Sequence, residues 1–301
     1  MSRKLLMLSL WIALVSACSS APAVEDEGPT EEPEVVEEEA KPAEDREASY
    51  DSLRERLEEI VDGTHRSDAN RARDVYRNPV DTLRFFKVEP TDRVVELSPG
   101  RGWYSEILGP YLYGEGTLVA AVPPIDPEDE ESYLTQIVTE YMGFVEANRD
   151  TLGMVEVGTF APPEVAEIGE PGSADAVVTF RNLHGMYNRG TIEATLSAVY
   201  EVLRPGGTFG VVQHRAPEGS DPAESASMGY LPQEVVIELA EAAGFVLDGA
   251  SEINANPMDT ADHEHGVWSL PPTLRGGEET AERYQEIGES DRMTLRFVKP
   301  E

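Results

Sequence analysis

Positive charge is scarce in this chain and cysteine almost absent. Of 301 residues, 24 are Lys or Arg against 58 Asp or Glu, a formal net charge of -34. Binding to phosphate backbones needs clustered cations that release counterions, so this charge balance argues against nucleic acid as a partner. The single cysteine, Cys18, rules out an intramolecular disulfide and a Cys-based zinc site. Long apolar runs are missing too: the stretch from Leu5 to Leu14 is well short of the roughly 20 residues that cross a bilayer. What is present is a hydrophobic fraction of 40%, ordinary for a globular core. The surplus of carboxylates keeps a protein soluble and is also what a salt-rich habitat selects; charge alone does not choose between these.

The setting of Cys18 is informative. Arg3 and Lys4 form a short positive segment, Leu5 to Leu14 an apolar one, and Val15-Ser16-Ala17-Cys18 follows. This order resembles a bacterial lipoprotein signal with its lipobox. The resemblance implies cleavage before Cys18, lipidation of that residue, and anchoring by acyl chains at about 0.8 kcal/mol per buried CH₂. Ser19 after the cysteine then implies the outer membrane of a Gram-negative envelope, facing the periplasm. The alternative is an ordinary cysteine after an uncleaved helix. From Ser19 to Ser49 the chain is Glu, Pro and Ala with almost no large apolar side chain, which cannot bury enough surface to order itself and reads as an acidic tether. The division is thus residues 1–18 as leader, 19–49 as tether and 50–301 as one folded domain.

In that domain, Leu53, Leu57 and Ile60 share one face of a helix over Tyr50 to Val61. Ser67 is placed to cap a second helical stretch that carries Arg71, Arg73 and Tyr76 and is interrupted by Pro79. Two readings of those arginines stand: surface salt bridging, or a fork held near a bound carboxylate or phosphate. From Asp92 onward strands and helices alternate, the pattern of a parallel sheet with crossover helices. The strands are read at Arg93 to Leu97, Thr117 to Val122, Met154 to Phe160, Ala176 to Phe180 and Thr208 to His214. Helices are read at Trp103 to Leu112, Ile192 to Leu203 and Pro232 to Ala243, the last closed by Gly244. Phe245 to Ile253 and Arg292 to Val298 complete the set, separated by a polar insertion instead of a crossover helix, so the last strand is expected to run antiparallel.

The turn Glu96-Leu97-Ser98-Pro99-Gly100-Arg101-Gly102 ends a strand and opens a helix, which brings backbone N–H groups close to a ligand at the first crossover. Gly100 and Gly102 alone do not choose among nucleotide cofactors. Leu203-Arg204-Pro205-Gly206-Gly207 before the fifth strand resembles the turn found there in class I methyltransferases, and Phe180-Arg181-Asn182-Leu183 is similar to a segment of quinone-biosynthesis C-methyltransferases. The span from about Asn70 to Pro300 resembles a family of bacterial predicted methyltransferases, often exported. It does so through Pro99 to Leu108, Phe180 to His184, Gly210 to Ala216, Ser251 to Pro257, Gly266 to Pro272 and Ile287 to Met293.

The resemblance implies a Rossmann-like α/β domain that uses S-adenosylmethionine (SAM) as methyl donor and a small molecule or envelope component as acceptor. It places Glu96, Ser98, Gly100 and Gly102 around the methionine part of SAM and Asn182 with them, and it places Arg181 with the substrate. Ser98 stands where the general pattern has a glycine, and the second strand ends in Val122-Pro123-Pro124 where an acidic residue usually holds the ribose. Asp126 is near enough to substitute, and Glu156 and Thr159 on the third strand are expected at the adenine. For Glu156 a solvated strand position is the competing reading.

His184 and His214 follow the fourth and fifth strands, so both belong at the carboxyl edge where ligands bind in such sheets. Each is a candidate general base, against the plainer reading of a structural histidine. Asp259, Asp262, His263 and His265 form a second polar group whose spacing matches no strong metal motif. If their loop folds over the sheet edge as a lid, Asn254 and Asn256 face substrate. Two alternatives to a methyltransferase remain: a noncatalytic metabolite-binding protein on the same fold, and a metal-assisted hydrolase using the histidines.

Overall fold

The computed structural model describes residues 43–301. Cys18, the Leu5 to Leu14 segment and most of the acidic stretch lie outside the described residues. Within them, no helix is long and apolar enough to cross a membrane. The first helix spans Ala43–Val61, so it begins inside the stretch read as tether. Leu57 is fully buried, while Leu53 and Ile60 beside it are half-buried.

Eight strands form one sheet: β1 (Arg93–Leu97), β2 (Thr117–Val122), β3 (Val155–Ala161), β4 (Val165–Ala166), β5 (Ala174–Phe180), β6 (Leu203–His214), β7 (Val246–Ser251) and β8 (Arg292–Val298). Their order is β4-β3-β2-β1-β5-β6-β8-β7. β1 pairs in parallel with β2 and β5, β2 with β3, and β5 with β6, whereas β8 is antiparallel to both its neighbours. The expected antiparallel last strand is therefore present, inserted between β6 and β7. Alternate residues of β1 face opposite layers, as the two-residue period of a strand requires. Val95 and Leu97 join the core under the helix Ile192–Val202, and Val94 joins Leu83, Phe86, Ile107 and Leu108 on the other face. With both faces covered, the strands read as near-continuous apolar runs.

Three differences from the sequence reading bear on the site. Pro79 starts a helix, Pro79–Phe85, because at the first helical position its missing N–H costs nothing; the interruption falls at Asn78, whose φ is 39°. β6 begins at Leu203 instead of Thr208, since the Gly206 N–H and Gly207 carbonyl still pair with Lys299 beyond the end of β8. A helix missing from the sequence reading, Tyr133–Ala147, connects β2 to β3 and buries Thr135, Val138, Tyr141 and Val145.

Candidate active site

At β1 the sheet order turns back on itself, with β2 on one side and β5 on the other, and a crevice opens at the carboxyl ends of such strands. Here it is a cleft of about 850 Å³. Its β1–β2 side is built by the Ser98 to Gly102 turn. Ser98, Gly100 and Gly102 have φ of 50°, 62° and 84°, the left-handed region that favours glycine. A Cβ on Gly102 would lie 2.7 Å from the Phe144 ring, so the helix Tyr133–Ala147 packs directly on the turn, while one on Gly100 would meet nothing within 4 Å. Beneath the turn Glu96 is 2% exposed. Its Oε2 accepts the Ser105 hydroxyl at 2.6 Å, and Ser105 is 3.1 Å from the Tyr141 hydroxyl. Burial pushes the Glu96 carboxyl up to about 7, against the Ser105 bond and the Arg181 charge. Val122, Leu134, Ile137, Val138 and Phe160 give this half an apolar wall.

The β5–β6–β8 side is cationic. Glu289 accepts from Arg73 Nε at 2.6 Å, from Arg77 Nε at 3.1 Å and from Arg292, with Arg181 Nη1 at 3.9 Å. Burial alone would raise that carboxyl; Arg292, Arg77, Arg73 and Arg181 hold it down at about 2. The guanidiniums of Arg66 and Arg77 lie over the Trp103 ring, 5.0 and 4.6 Å from its centroid, and Arg66 ties this segment to Glu106 and Asp74. Arg181 has a φ of 64°, with its N–H donating to Val212 O at 2.7 Å. Such a backbone is costly for a side-chain-bearing residue and persists where its surroundings enforce it.

His184 and His214 stand 5.8 Å apart, ring to ring, in the same cleft. The Leu183 N–H can only donate, and it donates to Gln213 Oε1 at 3.1 Å; this turns the Gln213 amide nitrogen toward His184 Nδ1 at 3.3 Å. His184 Nδ1 is thus an acceptor, and the neutral ring carries its proton on Nε2. That makes His184 a donor rather than the base expected of it. Burial lowers it to about 4. His214 Nδ1 meets Ser290 Oγ at 2.5 Å, and burial with Arg292, His184 and Arg181 nearby pulls its pKa well below the usual histidine value.

No protein-family model matches this chain, and no curated protein does. Solved structures do. The 4+2 cyclase SpnF superposes with a TM-score of 0.54 at 16% identity, over 84% of this chain and 95% of that one. A phosphoethanolamine N-methyltransferase 2 from Haemonchus contortus, in complex with S-adenosyl-L-methionine, gives 0.50 at 15% identity, over 75% of this chain and 53% of that one. A SAM dependent methyltransferase from Aquifex aeolicus gives 0.49 at 13%, over 82% and 98%. The fold is that of the Rossmann-like methyltransferases. At these identities the likeness concerns the fold alone, and a cyclase among the neighbours is a reminder that fold does not fix reaction.

On this methyltransferase fold the predicted residues separate into two groups. Glu96, Ser98, Gly100, Arg181, Asn182, His184 and His214 all line the cleft, and Gly102 closes its turn from behind. Asn182 also staples the turn, its amide donating to Leu97 O at 2.9 Å and Ser98 O at 3.3 Å. Four expectations give way. Glu156 does not reach the cleft: it is exposed and paired with Arg93 at 2.6 and 3.1 Å, so an adenine contact from it is withdrawn. Asp126 also lies outside, its carboxylate accepting the Glu128 N–H within its own turn. Asn254 is buried between Thr82 and Thr294, and Asn256 donates to Ile287 O and Glu289 O; both are structural ties and neither faces substrate.

No residue of the loop from Asn254 to Gly266 lines the cleft; the segment that follows it does, through Val267, Trp268 and Pro271 to Thr273. Asp259 spends its carboxylate on His263 Nε2 and the Asp291 N–H, both at 2.8 Å, and among the described residues no three His, Cys, Asp or Glu could hold a metal ion. The metal-assisted hydrolase therefore has no ligand set there. Of the arginines left open, Arg71 pairs on the surface with Asp68, whereas Arg73 enters the cleft.

Glu289, Ser290 and Arg292 were not singled out as site residues, nor was Arg77. The signal for the first three was available: an antiparallel β8 begins where the parallel strands end, His214 opposite Arg292, so the polar residues just before it belong at the ligand edge.

Proposed function

We propose that the protein is a SAM-dependent methyltransferase acting on a small molecule or an envelope component, held at the cell envelope, on the periplasmic face of the outer membrane, by lipid on Cys18. The observation that carries the catalytic part is the cleft at the switch point, where the Ser98 to Gly102 turn stands over the buried, readily protonated Glu96. The residues present fit the donor. Gly100 leaves open approach to backbone, Glu96 can pair with an ammonium, and Val122, Leu134, Ile137 and Val138 suit a flat apolar ring. Glu164, an exposed carboxylate lining the cleft after β3, takes the place of the missing acidic residue toward ribose hydroxyls.

When bound, the donor supplies a methyl group on positively charged sulfur. The chain's own contribution is alignment and one proton transfer. His214, neutral because burial and the arginines disfavour its charged form, accepts the proton from the acceptor's oxygen or nitrogen as the new bond to carbon forms. His184, with its proton on Nε2, donates a hydrogen bond to the acceptor.

A noncatalytic binding protein is the second reading, favoured by Ser98 in the glycine position and by Pro123-Pro124 at the ribose end. Calorimetry of the full-length protein with SAM and S-adenosylhomocysteine separates the readings together with a methyl-transfer assay. One site of micromolar to millimolar affinity is expected for each. Absence of binding by both ligands sinks the methyltransferase; binding without transfer to any acceptor in a metabolite panel leaves the second reading.

A further inference from the structure

The cationic half of the cleft holds more charge than its partners answer. Arg73, Arg77, Arg181 and Arg292 converge on one carboxylate, Glu289, in a chain whose net charge is -34. The next carboxyl felt by Arg181 is Glu96, which burial keeps half protonated near neutral pH. Arg77 is 3% exposed and Arg292 2%, and among the described residues Arg77 Nη1 and Arg292 Nε are buried without a hydrogen-bond partner. Both residues line the cleft, their unpaired guanidinium N–H groups are donors lacking an acceptor, and the guanidinium fork matches carboxylate and phosphate oxygens.

We propose that this cluster is an oxyanion site that takes the phosphate or carboxylate of the methyl acceptor. Burial first, and the Arg181 charge after it, pull Arg77 well below the usual guanidinium range, and burial with Arg292 brings Arg181 to about 10. The donor's own carboxylate is the competing source. It arrives beside an ammonium, so that end of the donor brings no net charge, and it would leave the surplus of the four arginines in place. An acceptor anion removes part of that surplus. It also relieves His214, whose proton affinity is depressed by burial first and then by Arg292, His184, Arg181 and Arg77, so the acceptor offsets the arginines' part and strengthens the base it needs.

The acceptor part of this inference rests on the methyltransferase reading; the oxyanion site does not. Inorganic phosphate, and separately succinate, is titrated into the full-length protein alone and again with saturating S-adenosylhomocysteine. Arg181→Gln and Arg73→Gln are run in parallel, since both side chains are about a quarter exposed and tolerate change. The expected result is one oxyanion per chain, weakened by salt, changed less than about threefold by S-adenosylhomocysteine, and weakened about tenfold or more in Arg181→Gln and in Arg73→Gln, with S-adenosylhomocysteine affinity kept in Arg73→Gln, whose side chain does not act on Glu96. The tighter of the two probes names the acceptor's group. No binding of either anion, or displacement of both by S-adenosylhomocysteine, overturns the proposal, the second outcome assigning the cluster to the donor's carboxylate. Phosphate binding without S-adenosylhomocysteine binding supports the oxyanion site and removes the methyltransferase reading, so the two failures are distinct.

Discussion

The two walls of the cleft are made in opposite ways. The β1–β2 wall is local: Glu96, Ser98, Gly100, Gly102 and Ser105 sit within one strand, turn and helix, and its one buried charge facing the cleft is the Glu96 carboxyl. The β5–β6–β8 wall is assembled from remote pieces, with Arg73 and Glu289 separated by 216 positions and Arg77 and Glu289 by 212. The first wall uses backbone shape and burial to receive a ligand; the second uses a concentration of charge that one carboxylate holds together. Shape built from contiguous residues survives point changes, whereas a charge cluster depends on its central member. The largest effect is therefore expected at Glu289. Glu289→Ala leaves three guanidiniums without their acceptor and is expected to destabilise the protein by about 3–5 kcal/mol in denaturant unfolding; a loss below about 1 kcal/mol would mean the cluster is held by packing instead. The sign with pH follows from the depressed carboxyl: its stabilisation is present above the ordinary Glu value and is lost as pH falls toward about 2.

His214→Ala tests the same wall through chemistry. Removing the base is expected to lower turnover about 100-fold or more while leaving SAM affinity within about threefold. Turnover like that of the unaltered protein would take His214 out of the mechanism and leave Ser290 and the arginines as its reason for burial.

The contrast also explains what could be read from the sequence. The strand–turn–helix at Arg93 to Leu112 announces itself by period and by glycine, so β1, β2 and the turn were legible, as was the antiparallel close of the sheet. The helix Tyr133–Ala147 was not, because the acidic run Asp126 to Glu131 before it looks like loop and only four residues, Thr135, Val138, Tyr141 and Val145, are buried along it. Glu156 and Asp126 failed for another reason: position along a strand does not say whether a nearby Arg93, or a backbone N–H in the residue's own turn, will claim the carboxylate first. Asn254 and Asn256 failed likewise, having buried polar partners that only the fold brings near. The Glu289 cluster needed β8 to be placed against β6 before its polar start could be seen as part of the site.

On the local wall the expected effects are smaller. If Glu96 receives the donor's ammonium, SAM affinity rises with pH up to about 7, by as much as tenfold per unit below it, because only the ionised carboxyl pairs with a cation. Glu96→Gln should weaken binding about tenfold at pH 8 and flatten the profile. A profile unchanged in that variant would assign the titration elsewhere. Stability runs the other way: the raised carboxyl makes the native protein lose stability as pH climbs from the ordinary Glu value through about 7, and the glutamine variant should lack this slope.

The smallest effect is expected at Ser98, and its size decides what the serine is for. Ser98→Gly removes the left-handed strain at φ 50°, worth about 1–2 kcal/mol, but loosens the unfolded chain at a cost of about 0.4–1 kcal/mol, so the net change in stability should lie between about zero and 1.6 kcal/mol, on the stabilising side. The shape of the turn should survive, because the bonds that hold it are made by backbone: Ser98 N–H to Ala121 O at 2.8 Å, and the Leu97 and Ser98 carbonyls to the Asn182 amide. SAM affinity is then expected to move by less than about threefold, as read by calorimetry. A loss of tenfold or more would show that the hydroxyl itself touches ligand, and the local wall would carry side-chain chemistry as well as shape.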